Sequence, residues 1–377
     1  MKHLSIFILI LLIFSCGVNS SSESRSSYAD FTISMDTVVV DSGDEILMAA
    51  TTHLSHYFND NFSRLYFWDS RSHSTEIIDL DELKLLEKRP FEKEGPNGIV
   101  RFNNGLNILS NDKIGFSEWE KFSIANSKGE VVERIKLNED WIIKDLKEKQ
   151  NLRADIFLEN ERVIFNKVAD LLHVSSKILK LDFRQQQVEW IALPEFEKRD
   201  NFTLEFKPDD GSFYAVIGPT LNLTKFKNQL IFTTDALNAI YKYDLETNSL
   251  TFHSISNTLT ANEKSGVYKN LVTTQGEFGE NMDKINEEVT FSDLFWDDKN
   301  DVFYRFTSFN LPRVAKEKLK SRVFISIINK DFEVIGEKEI TEIVGQVPVA
   351  QFVKDGLIYC YINIDDELGY VRMKINN

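Results

Sequence analysis

One pattern constrains the fold of this chain more than any other. A strand-like run enters a short polar turn and a second strand-like run follows, five times over. It reads RLYFWDSRSHSTEIIDL at 64–80, KFSIANSKGEVVERIKL at 121–137, KILKLDFRQQQVEWIAL at 177–193, IYKYDLETNSLTFHSI at 240–255 and RVFISIINKDFEVIGEKEI at 322–340. Apolar residues alternate in each run, the period-two pattern of a strand with a buried face. Asp, Asn, Ser, Gly or Lys then turn the chain. The hairpins end at Leu80, Leu137, Leu193 and Ile255, steps of 57, 56 and 62 residues, with a longer step of 85 to Ile340.

Further short strands precede most hairpins, at 105–119, 223–235 and 289–309. One unit is therefore about four strands in roughly 60 residues, the repeat of a propeller blade drawn somewhat long. About three strands remain at 349–375, and FTISMDTVVV at 31–40 supplies another. Together they make a sixth unit closed by both ends of the chain, which removes exposed sheet edges. The expectation is an all-β fold, a six-bladed β-propeller in a single domain over 28–377, rather than a pair of large β-sandwiches. Segments 138–152 and 312–321 read as helical connections. The polar insertion at 257–288, with Gly266, Gly276 and Gly279, reads as a long loop of the kind that is usually functional or mobile.

The N-terminus carries an address. Lys2 precedes an apolar run at 4–14 that is too short to span a bilayer. A basic start, a short apolar run and a small residue before a cut site describe a secretory leader over 1–15. IFSC at 13–16 resembles the lipobox of bacterial lipoproteins. The resemblance implies cleavage before Cys16 and lipid on its sulfur and new amino group, hence membrane attachment, because several acyl chains anchor firmly where one is marginal. The Ser-rich stretch 16–27 then reads as a tether. The resemblance implies an outer-membrane lipoprotein, with the periplasmic side favoured because 17–21 lacks an acidic run.

The chain has 59 acidic and 44 basic residues, a net charge of −15, and no basic run with interleaved aromatics, which argues against nucleic acid as a partner. Cys360 is the second of two cysteines, set in the strand-like LIYCYINI, where cysteine behaves as a small hydrophobe. Without a disulfide, stability must come from a packed core, to which 29 Phe residues contribute.

Known repeat signatures are missing, and the tryptophans at 68, 119, 141, 190 and 296 share no blade position. With its lipobox, its hairpin period and the stretch KEGPNGI at 93–99, the chain resembles six-bladed β-propeller lipoproteins of Bacteroidota-type bacteria, including families known only as domains of unknown function. The resemblance makes Glu94, Gly95, Pro96, Asn97 and Gly98 a turn ahead of an inner strand, and a candidate binding-face turn. It implies a fold and an envelope address, and no activity.

No catalytic, cofactor or metal constellation is legible. His53 and His56 are spaced for a shared metal on a helix, but they lie between strands and read as surface loop. His73 falls in a polar turn, His253 in a hairpin strand and His173 in a packed run. The acidic clusters 207–212, 297–301 and 363–369 sit where hairpins need turns, and none has the spacing of an EF-hand. The chain lacks a phosphate loop and a nucleophile elbow. The expected function is a binding or scaffold module of the cell envelope, for an envelope protein, a peptide or a glycan. The expected contact surface is one propeller face with the 257–288 insertion beside it, which deletion should remove without harm to the fold. The alternative is an envelope enzyme acting on carbohydrate or peptide through acids gathered at a propeller channel.

Overall fold

The computed structural model describes residues 28–50, 56–100, 105–147, 150–170, 173–211, 214–313 and 319–377. The leader, Cys16 and the tether lie outside the described residues, as do His53 and residues 314–318 of the predicted helical connection at 312–321.

Among the described residues the strands form seven sheets. Sheet 1 joins His56–Phe58, Arg64–Asp69, Ser74–Asp79 and Lys84–Pro90; sheet 2 joins Leu106–Ile108, Ile114–Ser117, Lys121–Ala125 and Val131–Lys136. Sheet 3 joins Gln150–Leu158, Val163–Asp170, His173–Asp182 and Gln187–Ala192; sheet 4 joins Asn222–Phe226, Gln229–Thr233, Ala239–Asp244 and Leu250–Ser254. Sheet 5 runs Thr290–Phe291, Val302–Asn310, Ser321–Ile328, Val334–Glu339, with Phe295–Asp297 also paired to Val302–Asn310. Sheet 6 runs Phe352–Lys354, Leu357–Ile364 and Glu367–Asn376, and its last strand is Thr32–Val39 from the other end of the chain. That strand pairs antiparallel with Glu367–Asn376 in unbroken register from Thr32↔Asn376 to Val39↔Gly369.

All five predicted hairpins form, but the first is one strand out of step with the rest. The hairpin at 64–80 is strands two and three of sheet 1, whereas the others are strands three and four of theirs. The true outer strand, Lys84–Pro90, lies in a charged run, DELKLLEKRP, whose Leu83, Leu85 and Leu86 do not alternate cleanly.

The apolar side chains pack between sheets rather than on one face only. Tyr66, Ile77 and Phe91 meet Ile114 and Phe116 between sheets 1 and 2. Phe122 and Ile124 meet Phe157, Ile164 and Leu179 between sheets 2 and 3. Phe165 and Ile178 meet Phe232 and Tyr243 between sheets 3 and 4. Ile231 and Ile240 meet Phe303 and Ile328 between sheets 4 and 5. Tyr304 and Ile325 meet Ile358, Cys360 and Met373 between sheets 5 and 6. Finally Phe352, Tyr359 and Tyr370 of sheet 6 meet Leu65, Phe67 and Ile78 of sheet 1.

A middle strand thus feeds two cores from alternate positions. Leu230 and Phe232 face one and Ile231 the other. This is why such strands read as continuous apolar runs, for example VFISII at 323–328, which is buried throughout.

The 257–288 insertion is not a structureless loop. Leu271–Val272 pairs in parallel with Leu204–Phe206, which also pairs with Ala215–Ile217, and the three make an accessory sheet. Thr274 caps the helix Gln275–Asn286 by accepting from Glu277 N. Phe278, Met282 and Ile285 from this helix pack on Leu204, Phe206 and Val272. At 138–152 the expected helix is a single turn, Asp140–Ile143, before a strand begins at Gln150.

Candidate functional site

The two ends of the sheets differ. Turns between first and second strands meet across neighbouring sheets through ion pairs: Arg64 with Asp112 at 2.8 Å, Lys113 with Glu159, and Lys227 with Asp298 at 3.7 Å. The other end carries the turns between second and third strands, the chain entering each first strand, and the accessory sheet.

At that other end, between sheets 4 and 5, lies a buried polar cluster. Arg305 is 1% exposed and donates to Asn238 Oδ1 at 2.9 Å, Thr234 O at 3.0 Å and Ser292 O at 2.8 Å. Burial lowers its pKa to about 10 against the pull of Asp293 and Asp235. Asn257, at the start of the insertion, donates to Thr307 Oγ1 at 3.2 Å and accepts from Ser326 Oγ at 3.0 Å. Asp235 accepts from Thr220 N at 2.7 Å, and burial raises its carboxyl while Lys264 acts to lower it.

Beside this cluster a cleft of about 420 Å³ opens between the 3-10 helix Pro194–Phe202 and the insertion. Lys198, Asn201, Phe202, Glu263, Lys264 and Asn270 are among the residues that line it. Lys264 is buried and donates to Thr290 Oγ1 at 3.1 Å; burial lowers its proton affinity, against Asp235 and Glu288. Glu288 accepts from Ser265 N at 3.0 Å and Gly266 N at 2.8 Å, which fixes the loop that floors the cleft. A perturbed lysine in a cleft is the kind of group that functional sites collect. A second cleft, of about 310 Å³, lies across the same 3-10 helix and includes His173, Ser176 and Asp200 in its lining.

None of these charged residues stood out in the sequence. Asp235 ends the strand-like stretch 223–235, and Lys264 sits in NEKSG within the insertion that reads as a long loop. The accessory strands near Lys264 are two or three residues long and leave no periodic signal.

The sequence-predicted residues fall elsewhere. Glu94 to Gly98 form a turn between sheets 1 and 2, set against the outer strand of sheet 2. Arg134 donates to Pro96 O at 2.8 Å and Gly98 O at 2.9 Å, and Asn97 Oδ1 accepts from Val131 N at 3.1 Å. Gly95 takes a positive φ of 82°, and a Cβ on Gly98 would come within 2.8 Å of the Glu94 backbone. The turn is braced through its carbonyls and leaves the Glu94 side chain exposed. His56 is part of the first strand of sheet 1, edge-on to Phe67 and Tyr361, not in a surface loop. His73 does lie in a turn, but it is 2% exposed, with Nε2 3.2 Å from Glu92 O. His173 is exposed rather than packed, with Nε2 3.0 Å from Asp200 Oδ1. His253 packs against Phe332, with the ring centroids 4.7 Å apart and the planes tilted by 48°. Cys360 is buried, and burial pushes its thiol up. Asp297 caps its own turn, accepting from Lys299 N, Asn300 N and Tyr304 OH. Asp365 and Asp366, with φ of 51° and 68°, form the tight hairpin turn between the middle strands of sheet 6. No group of three or more acids, histidines or cysteines placed to hold a metal occurs among the described residues. No helix among them is long and apolar enough to cross a membrane.

Comparison with solved structures finds a member of the DUF4221 family from Bacteroides vulgatus, with a TM-score of 0.64 at 16% identity, covering 93% of this chain and 99% of that one. A protein from Bacteroides fragilis, described by inference as exported, matches with a TM-score of 0.53 at 9% identity over 92% of this chain and 96% of its own. At these identities the likeness concerns the fold. No curated protein matches the chain. The family model for the domain of unknown function DUF4221 matches residues 27–339, and on that match the chain belongs to the DUF4221 family.

Proposed function

We propose that the six main sheets are the blades of a closed six-bladed propeller forming one domain over 28–377, that lipid on Cys16 carries it on the membrane of the cell envelope, and that it acts there as a binding or scaffold module. Three contacts support closure around the first strands. Phe58 of sheet 1 lies 4.7 Å from Phe352 of sheet 6, Phe157 N donates to Asn107 Oδ1 between sheets 3 and 2, and Phe226 of sheet 4 lies 4.9 Å from Trp296 of sheet 5. The six inter-sheet cores, the last returning to sheet 1, support it further.

The observation that carries the binding reading is the asymmetry of the two ends. One is laced shut by ion pairs between turns. The other bears the accessory sheet, both clefts and exposed apolar side chains, Trp119 at 63% and Val267 at 75%. Clefts lined by polar groups are where ligands and partners are received, and this end carries both of them. The Glu94 to Gly98 turn contributes Glu94 between the first two blades. The partner is an envelope protein, a peptide or a glycan.

The test is affinity capture of the tagged protein from detergent-solubilised envelopes, with mass spectrometry of the mature N-terminus and of what co-purifies. The reading predicts a lipid-bearing Cys16 and a partner lost in Cys16→Ala. An unmodified N-terminus at a different cut site contradicts the anchor. The same partner recovered equally with Cys16→Ala contradicts a membrane-bound role.

A further inference from the structure

The cleft between the Pro194–Phe202 helix and the insertion brings together polar groups that the protein itself leaves unmet. Lys264 is 7% exposed, and its ammonium has three protons to donate. Among the described residues the ammonium makes one hydrogen bond, to Thr290 Oγ1 at 3.1 Å. Behind the floor formed by Ser265 and Gly266, Glu288 uses one carboxylate oxygen to hold both backbone N–H groups and the Ser265 hydroxyl. Its other oxygen is buried, with no partner among the described residues. Glu288 and Asp235 act on Lys264 through space, and no ion pair joins either of them to it among the described residues. On the rim, Lys198 and Glu263 stand 3.8 Å apart and both are solvent-exposed. Asn201 and Asn270 add amides; Asn270 spends its N–H donors on Asn201 O and Thr203 O, which leaves its side-chain oxygen as the acceptor it can offer a ligand.

The site presents both signs of charge: Lys198, Lys264 and Glu263 line the cleft, and Glu288 and Asp235 act on Lys264 from behind it. An anion would complete the lysines and meet carboxylates; a cation would do the reverse. A hydroxyl accepts and donates through one oxygen, so it serves both kinds of group at once. A cleft of about 420 Å³ lies within the size range of small-ligand sites and exceeds what one bridging water fills. We infer that this cleft binds the hydroxyls of a neutral saccharide, with Lys264 and Lys198 donating to them and Glu263 and the Asn270 carbonyl accepting. The inference rests on the binding-module reading and names the ligand class of one site within it.

The test is ligand-observed saturation-transfer NMR on the folded protein, with the methyl glycosides of glucose, galactose, mannose and N-acetylglucosamine as probes. At least one glycoside should take up saturation, and acetate or inorganic phosphate should not displace it. Lys264→Met should weaken it by roughly tenfold or more, the loss of a charge-assisted hydrogen bond. Because Lys264 is buried, the exposed substitutions Glu263→Ala and Lys198→Ala serve as variants that leave the fold alone, and each should weaken the same signal. Saturation absent for all four glycosides, unchanged in all three variants, or abolished by acetate or phosphate overturns the inference. Saccharide failure alongside a protein partner captured at the envelope overturns this inference alone. Failure of both removes the binding-module reading as well.

Discussion

Asp36 and Arg372 pair across the seam where the two ends of the chain meet. The hydrogen bond from Arg372 holds the Asp36 carboxyl below its ordinary value of 3.8. A lowered folded pKa means a contribution present above that ordinary value and lost as pH falls through the folded one. Asp36→Asn should therefore speed hydrogen exchange in Thr32–Val39 at neutral pH, with the difference from wild type shrinking in acid. Equal exchange at neutral pH would show that the pair does not hold the seam. Cys360 gives a second test at this scale. Its burial in the core between sheets 5 and 6 keeps the thiol protonated and enclosed. A thiol reagent should label it only after denaturation, and fast labelling of the native protein would contradict the packing described.

At the scale of elements, the hairpins were legible because their turns carry their own chemistry. Asn126, Asp182, Asp244, Asp297 and Asn329 each accept backbone N–H groups from the residues that follow them. The outer strand of sheet 1 was not legible, since its charged residues and adjacent leucines hide the alternation. Nor was the insertion helix. Phe278, Met282 and Ile285 have helical spacing, but Gly276 and Gly279 and a polar setting conceal it.

The consequence is a changed expectation for the insertion. Its removal would strip Val272 and the helix from Leu204 and Phe206, and Asn257 from Thr307 and Ser326. Deletion of 257–288 should lower the melting temperature and broaden the transition in calorimetry, rather than leave the fold intact. A deletion mutant that melts like wild type would mean that the accessory elements are independent of the rest. Gly129 tests the contact between sheets 1 and 2. It has a φ of +82°, and an added Cβ would sit 2.5 Å from Pro90 O. Gly129→Ala should cost about 1–3 kcal/mol in denaturant unfolding, from the left-handed backbone and the clash together.

At the scale of the whole molecule, the repeat and the union of the chain ends in sheet 6 were visible in the sequence because each unit repeats the same strand–turn–strand logic. The candidate cleft was not, because it is made by side chains from segments far apart in sequence. Lys198 and Lys264 come together only when the 3-10 helix and the insertion dock. The central claim is that the end bearing these additions is the working surface of an envelope-anchored module. Site-specific photo-crosslinkers in living cells test it most directly, placed at Trp119 and Val267 on that end and at Asp60 on the opposite turns. The account predicts partner adducts from Trp119 and Val267 and none from Asp60. Adducts from Asp60 alone, or equally from all three positions, would contradict it.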